Sequence, residues 1–373
     1  MKKIVITLLA ATLAACSGTA GGSGGAVPQS VGPFSGLKQD GMPVFLKGVD
    51  YSPTPICSGP HDNPLGNKNS AVWKRDLKIM RGLNVNAVKV YNTNPNADPI
   101  SNFLKEAYNG GNKPIYVILS IFFAPDAALN NGAVEDLSGQ YKKLAQDNGA
   151  NPAVIGISIS AEVNEEGVRS NPAWWAGMSR IAKAAKEGLK SAGHPEKIIT
   201  TTMVDDGFIT EKEGEKYGFP VDAWGINFYR GPTFGVAFSD YRKVSSKPLI
   251  VSEWGTPVAF HPNGDPYKGE EWPKRRIGEL TKYVGDLAIE IDKNSIQNGG
   301  VALGGFYFEY SDEWWKAGDN CIQLTNPKAP NPKFPGGFDD EAWFGLNSIA
   351  EGKPNVLTQR PTYTRLSTLW AKQ

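Results

Sequence analysis

Eight short apolar runs recur along this 373-residue chain, each followed by a polar or aromatic turn and most by a helix-patterned stretch. The first four are V-F-L-K-G-V-D-Y (Val44 to Tyr51), N-A-V-K-V-Y ending at Tyr91, Pro114 to Phe123, and Ala153 to Ala161. The others are I-I-T-T-T-M-V before Asp205 and Asp206, A-W-G-I-N-F-Y ending at Tyr229, P-L-I-V-S-E-W-G through Glu253, and V-A-L-G-G-F-Y-F-E-Y ending at Tyr310. Short, nearly continuous apolar runs mark parallel strands covered on both faces. Helical spacing is clearest from Ser70 to Leu83 (apolar at Val72, Leu77, Met80 and Leu83, with Ser70 as N-cap) and from Pro172 to Ala192, opened by Asn171 and Pro172. Further helices are expected at Asp98 to Tyr108, Val134 to Asn148, Trp272 to Asn294 and Thr362 to Ala371. With no second composition block, the pattern predicts an α/β chain folded as one (β/α)₈ TIM barrel.

The N-terminus has a different character. Lys2 and Lys3 precede an apolar run from Ile4 to Ala15, too short for a stable membrane span and patterned like a signal peptide. It ends L-A-A-C, and Cys16 is followed by S-G-T-A-G-G-S-G-G-A, which resembles a bacterial lipoprotein signal. The expectation is a signal peptide at 1–15, a lipidated Cys16 with a flexible Gly/Ser tether at 16–35, and the barrel at 36–373. Ser17 after the cysteine points to the outer membrane in that class, so export and a lipid anchor are expected, with ordered structure from about Phe34. Cys57 and Cys321 remain. Two leftover cysteines in an oxidising compartment invite a disulfide, although sequence does not fix the pairing. In a barrel they would follow strands 1 and 8, which meet only when the sheet closes.

Several functions are disfavoured. Formal net charge is +1 with acids and bases dispersed, which gives no footprint for nucleic acid. His61, His194 and His261 are scattered, and no H-E-x-x-H, C-x-x-C or phosphate-loop spacing occurs, so neither a metal nor another cofactor is expected. The chain is expected to act as a monomer on a polysaccharide or oligosaccharide, with the Cys16 lipid as its membrane contact.

Glu162 and Glu253 end the fourth and seventh runs, about three βαβ units apart at roughly 30 residues each. In a (β/α)₈ barrel, residues at the C-terminal ends of the strands carry the chemistry. Two carboxyls facing each other there are the equipment of a retaining glycosidase, held about 5–5.5 Å apart. Ten Trp, 13 Tyr and 16 Phe supply flat apolar faces that could pack on sugar rings, though most should be core.

The segments G-V-D-Y-S-P, K-R-D-L-K-I-M-R-G-L-N-V-N-A-V-K-V-Y, V-I-G-I-S-I-S-A-E-V, A-W-G-I-N-F-Y, K-P-L-I-V-S-E-W-G and G-G-F-Y-F-E-Y run from Lys47 to Tyr310. Together they resemble the retaining glycoside hydrolases with an acid on strand 4 and a nucleophile on strand 7. Within that group they look most like fungal β-1,3-glucanosyltransferases and related bacterial β-1,3-glucanase-like proteins. The resemblance implies a β-glucan hydrolase or transglycosylase, with β-1,3 the expected linkage, Glu253 as nucleophile and Glu162 as general acid/base. Tyr229 and Lys89 would orient the nucleophile, Lys89 standing where the family more often has Arg. Asp50, Tyr91, Asp205, Trp254, Tyr310, Trp314 and Trp315 are candidate substrate contacts at strand ends. Trp174 and Trp175 are expected in the core, and Glu309 and Glu313 as salt-bridged or solvated acids. The family usually has Asn before the acid, where it binds the sugar 2-hydroxyl, and Ala161 stands there instead. Asn164 is the nearest substitute in sequence. The alternatives are a catalytically weakened carbohydrate-binding lipoprotein or a glycosidase for another β-linked polysaccharide.

Overall fold

The computed structural model describes residues 38–39, 42–60, 63–258, 273–317, 320–323, 326–330, 338–339, 341–350 and 353–373. Cys16, the signal and tether segments, Phe34, His61 and His261 lie outside the described residues. The barrel strands are β1 (Leu46–Asp50), β2 (Ala87–Lys89), β3 (Tyr116–Ile121) and β4 (Val154–Ile159). They continue as β5 (Ile198–Thr201), β6 (Trp224–Asn227), β7 (Leu249–Trp254) and β8 (Ala302–Tyr307). All pairings in this sheet are parallel, in the order β5-β4-β3-β2-β1-β8-β7-β6.

The ring closes at the fifth strand, which is split. Ile198–Thr201 pairs with β4, whereas Met203–Val204, beyond Thr202, pairs with β6. Thr201 spans the gap, its hydroxyl donating to the Gly225 carbonyl at 3.1 Å and accepting from the Gly225 N–H at 3.0 Å. A TIM barrel is therefore observed, as the run pattern predicts, with one strand shared between both edges of the closure.

Burial follows the expected two layers. Leu46, Ala87, Ile118, Ile155, Ile198, Ala223, Ile250, Leu303 and Phe306 form one buried cluster, contributed by every strand or the residue just before it. That is the filled interior of a small parallel barrel. Gly304 (φ +115°) lies so close to β1 that a Cβ would stand 2.3 Å from the Leu46 carbonyl oxygen, which explains the glycine there. Outside the sheet, a larger cluster joins the outer strand residues to the helices, with Trp73, Trp174, Trp175 and Trp224 fully buried.

The α-helices of five residues or more are α1 (Ser70–Gly82), α2 (Ser101–Tyr108), α3 (Asn131–Asn148), α4 (Pro172–Ser191), α5 (Ile209–Lys216), α6 (Ala237–Tyr241), α7 (Pro273–Lys293) and α8 (Pro361–Trp370). Asn171 caps α4 by accepting the Ala173 N–H at 2.9 Å. Ser70 is corrected from cap to first helical residue, since Asn69 holds the cap position without a side-chain bond. Among the described residues no helix is long and apolar enough to cross a membrane.

One feature is absent from the pattern reading. Asn347–Ala350 and Lys353–Gln359 form an antiparallel hairpin before α8. It is tied to the loop after β8 by a buried fork, in which Arg360 Nη1 and Nη2 each lie 2.7 Å from an oxygen of Asp312. Gln323 Nε2 donates to Asp312 at 2.7 Å and the Gly345 N–H at 3.0 Å, so the buried charge is well supplied with donors. Cys57 and Cys321 are joined by a disulfide, Cα–Cα 4.3 Å, between the loops that follow β1 and β8.

Candidate active site

Strand register explains which side chains meet. Asp50 and Lys89 are Cα partners at the ends of β1 and β2, so their side chains leave the sheet on the same side. The Lys89 ammonium lies 3.1 Å from Asp50 Oδ1 and 3.3 Å from Glu253 Oε1. On β7 the pairing with β6 slips between Val251 and Glu253, and such an irregularity re-aims the residues beside it. Glu253 then receives three donors. The Tyr91 hydroxyl donates to Oε1 at 2.9 Å, Lys89 Nζ also to Oε1, and the Tyr229 hydroxyl to Oε2 at 3.1 Å. Burial, then the charges of Asp50 and Glu253, hold the Tyr91 hydroxyl well above its ordinary pKa; burial and Glu253 do the same for Tyr229. Both phenols therefore stay protonated as donors.

Glu162 is placed by its backbone. Ser160 (φ 59°) and Glu162 (φ 52°) occupy the left-handed region, a sparsely populated conformation for such residues. Tyr141 fixes the bend, its hydroxyl accepting the Ser160 N–H at 2.8 Å and donating to the Ile121 carbonyl at 2.6 Å. The Glu162 N–H donates to the Thr202 carbonyl at 2.7 Å. Below, hydroxyls link the two halves of the site, with Ser158 3.1 Å from Thr202 and Thr202 2.9 Å from Ser252. Among the described residues the Glu162 carboxyl has one side-chain donor, Asn227 Nδ2 at 2.9 Å. Burial first, and then the nearby charge of Glu253, raise its pKa from 4.5 to about 7, against the lowering effect of Asn227.

The wall on the β8 side is also charged. Lys316 lies 2.8 Å from Glu341 and 3.7 Å from Glu313. Burial and the opposing pull of Lys316 leave Glu313 at about 7, while burial and then Glu313 push Glu309 well above the carboxylate range. Both are buried, so the solvated role is corrected: Glu313 faces Lys316, and burial keeps Glu309 protonated. Rings connect this wall to the two tyrosines. Tyr91 meets Phe308 at 6.4 Å, Phe308 meets Phe344 at 5.2 Å, and Phe344 meets Tyr229 at 6.0 Å between centroids.

The structure therefore gathers Glu162, Glu253, Tyr229, Lys89, Tyr91 and Asp50. The other expected contacts are buried or already paired. Trp254 is buried edge-on against Tyr307 and offers no open face. Tyr310 is buried against Tyr51, with its hydroxyl 3.3 Å from Asp76. Trp314 is buried, while Trp315 is half-buried with the Lys316 ammonium 4.9 Å from its ring centroid. Asp205 is held by the Arg230 fork, Nη2 to Oδ1 2.7 Å, and accepts the Gly207 N–H. Asp50 is the buried partner of Lys89 rather than an open hydroxyl binder. Asn164 does not stand in for the residue missing at Ala161, because its amide is used by the Val204 backbone on both sides and by Thr210. Asn227, Phe308 and Phe344 are site residues that the sequence reading passed over. The alternation along G-I-N-F-Y could have flagged Asn227, the last residue of β6 and two residues before Tyr229. Among the described residues no cluster of His, Cys, Asp and Glu is arranged to hold a metal.

No protein-family model matches the chain. It is 25% identical over 291 residues to the 1,3-beta-glucanosyltransferase gas5 of Schizosaccharomyces pombe, covering 72% of this chain and 51% of that protein. It is 25% identical over 313 residues to gas1 of the same yeast, covering 77% of this chain and 52% of the relative. The chain thus spans about half the length of the curated relatives it matches. Among solved structures, Saccharomyces cerevisiae Gas2p in complex with laminaritriose and laminaritetraose superposes with a TM-score of 0.57 at 17% identity, covering 88% of this chain and 64% of that one. Bacteroides uniformis beta-glucuronidase gives 0.58 at 14% identity, covering 91% and 37%. These structural likenesses support the barrel fold.

Proposed function

We propose that the protein is a retaining glycoside hydrolase or transglycosylase acting on a β-glucan, with β-1,3 linkage the best-supported choice. The observation that carries this reading is the unequal pair of glutamates bridged by β6. Asn227 and Tyr229, two residues apart, hold Glu162 and Glu253 respectively. Glu162, still largely protonated below about pH 7, can donate to a leaving glycosidic oxygen. Glu253, with an ammonium and two phenols around it, is equipped to attack the anomeric carbon and form a glycosyl-enzyme. Water or a second glucan, activated by the deprotonated Glu162, would then release the sugar. The 25% identity to the two yeast glucanosyltransferases supports the choice of glucan. The test is release of reducing ends or transfer products from laminarin with retained β configuration, lost in Glu253→Ala. Tight glucan binding without turnover would instead favour a binding protein, the reading motivated by Ala161.

We further propose that the chain is exported and anchored through a lipid on Cys16, a reading supported by the L-A-A-C sequence and the Gly/Ser stretch after it. Incorporation of labelled palmitate that disappears in Cys16→Ala would support it, and a wild type that takes up no label would refute it.

A further inference from the structure

The function proposed above consumes a charge that the structure has already paired. In the first step an oxygen of Glu253 bonds to the anomeric carbon, and the bond from that carbon to the leaving oxygen breaks. The bonding electrons go to the leaving oxygen, which takes the proton of Glu162. The negative charge thereby moves from Glu253 to Glu162. Lys89, 3.3 Å from Glu253 before the step, is left facing an ester.

The ammonium is not free to find water. The Lys89 side chain is 3% exposed, and its ammonium lies 4.3 Å from the Tyr91 ring centroid. On its other side stands Asp50 at 3.1 Å, with a side chain 0% exposed. A buried ammonium facing a neutral ester would lack compensation at a site where each charge is costly to desolvate. We infer that Asp50 is a positioning residue that holds Lys89 against Glu253 and becomes its counter-charge in the glycosyl-enzyme. This inference rests on the proposed double-displacement chemistry.

The surroundings are consistent with this role. The charged and titratable groups around the trio are Tyr91 from β2, Tyr229 from β6, Glu162 from β4 and, on the β8 side, Glu309, Glu313, Lys316 and Glu341. Lys316 is committed to Glu341 and Glu313, which leaves Asp50 as the carboxyl in contact with Lys89 once Glu253 is esterified. Burial pushes the Asp50 carboxyl well above its ordinary range, Lys89 pulls it back, and the Glu253 charge pushes it up again. Esterification removes that last influence, which moves the Asp50 carboxyl back toward its anion.

The test follows formation and breakdown of the covalent species separately. A 2-deoxy-2-fluoro β-laminaribiosyl fluoride carries its own leaving group, and mass spectrometry can follow its label on Glu253. In Asp50→Asn the label should form slower by about 10-fold or more and be released to excess laminaribiose faster than in wild type. Both changes have one cause, a destabilised intermediate. A purely structural role would slow both steps together. Equal rates in the two proteins, or equal slowing of both steps at an unchanged melting temperature, would overturn the inference. In the double variant Asp50→Asn/Lys89→Met, which buries neither charge alone, release should be no faster than in wild type. Accelerated release there would overturn it even if the single variant does not fold. A wild type that takes no label would overturn the functional reading and this inference with it.

Discussion

Glu253 and Glu162 are electrostatic neighbours at or just beyond the C-terminal ends of parallel strands, yet their surroundings are opposite. Three donors converge on Glu253, one of them an ammonium, and every one comes from a strand end or the residues just beyond it. Glu162 has one neutral amide, a left-handed backbone and a like charge nearby. In the proposed mechanism, that difference is what would let one barrel give two copies of the same side chain opposite tasks. Around Glu162, desolvation with a single neutral donor favours the acid. Position at a strand end selects the residues, and the donors around each decide its role.

The comparison can be broken most severely by deleting each carboxyl in turn. Glu253→Ala should lower glucan turnover by roughly 10⁴-fold or more, because the covalent route is lost. Azide should rescue it with inversion. Glu162→Ala should cost about 10²–10⁴-fold on glucan and far less in the first step of an aryl glucoside whose leaving group needs no proton. Equal losses of both variants on both substrates would mean that the two carboxyls are not differentiated.

Smaller changes sharpen the contrast. Tyr229→Phe removes one of the donors to Glu253 and should reduce kcat/KM by roughly 10–100-fold, the value of a hydrogen bond to a charged group. Asn227→Ala acts on the other glutamate. Glu162 must be protonated for the first step, so the rate should fall as pH rises through about 7. Asn227 lowers that midpoint by favouring the anion, hence its removal should move the alkaline limb to higher pH with a rate loss of only about 10-fold at neutral pH. A limb that stays in place would show that Asn227 does not tune the acid.

Much of this was legible in the chain, for identifiable reasons. Parallel strands buried on both faces leave uninterrupted apolar runs, so all eight were visible, and the polar residue ending a run marks its catalytic end. Side-chain direction was less legible. Trp254 follows the register irregularity on β7, and Tyr310 lies past the end of β8, so neither orientation could be counted from the strand. Asp50 was visible as a strand-end acid, but its task depends on Lys89 lying beside it in the neighbouring strand, a register relation that one strand does not reveal. The hairpin before α8 carries no strong period, and the Asp312–Arg360 fork joins residues brought together only by that hairpin and the Ser311–Asn347 bridge.

The Cys57–Cys321 bridge has a consequence for the unfolded molecule as well as the folded one. It spans a sequence separation of 264 residues and encloses nearly the whole sheet. With the bond intact, the denatured chain between the cysteines is a covalent ring, and β1 and β8, which pair in the folded sheet, never diffuse fully apart. Chain-entropy reasoning puts the value of such a long closure at about 5–6 kcal/mol. A barrel that must bring its first and last strands together thus starts with its ends already acquainted.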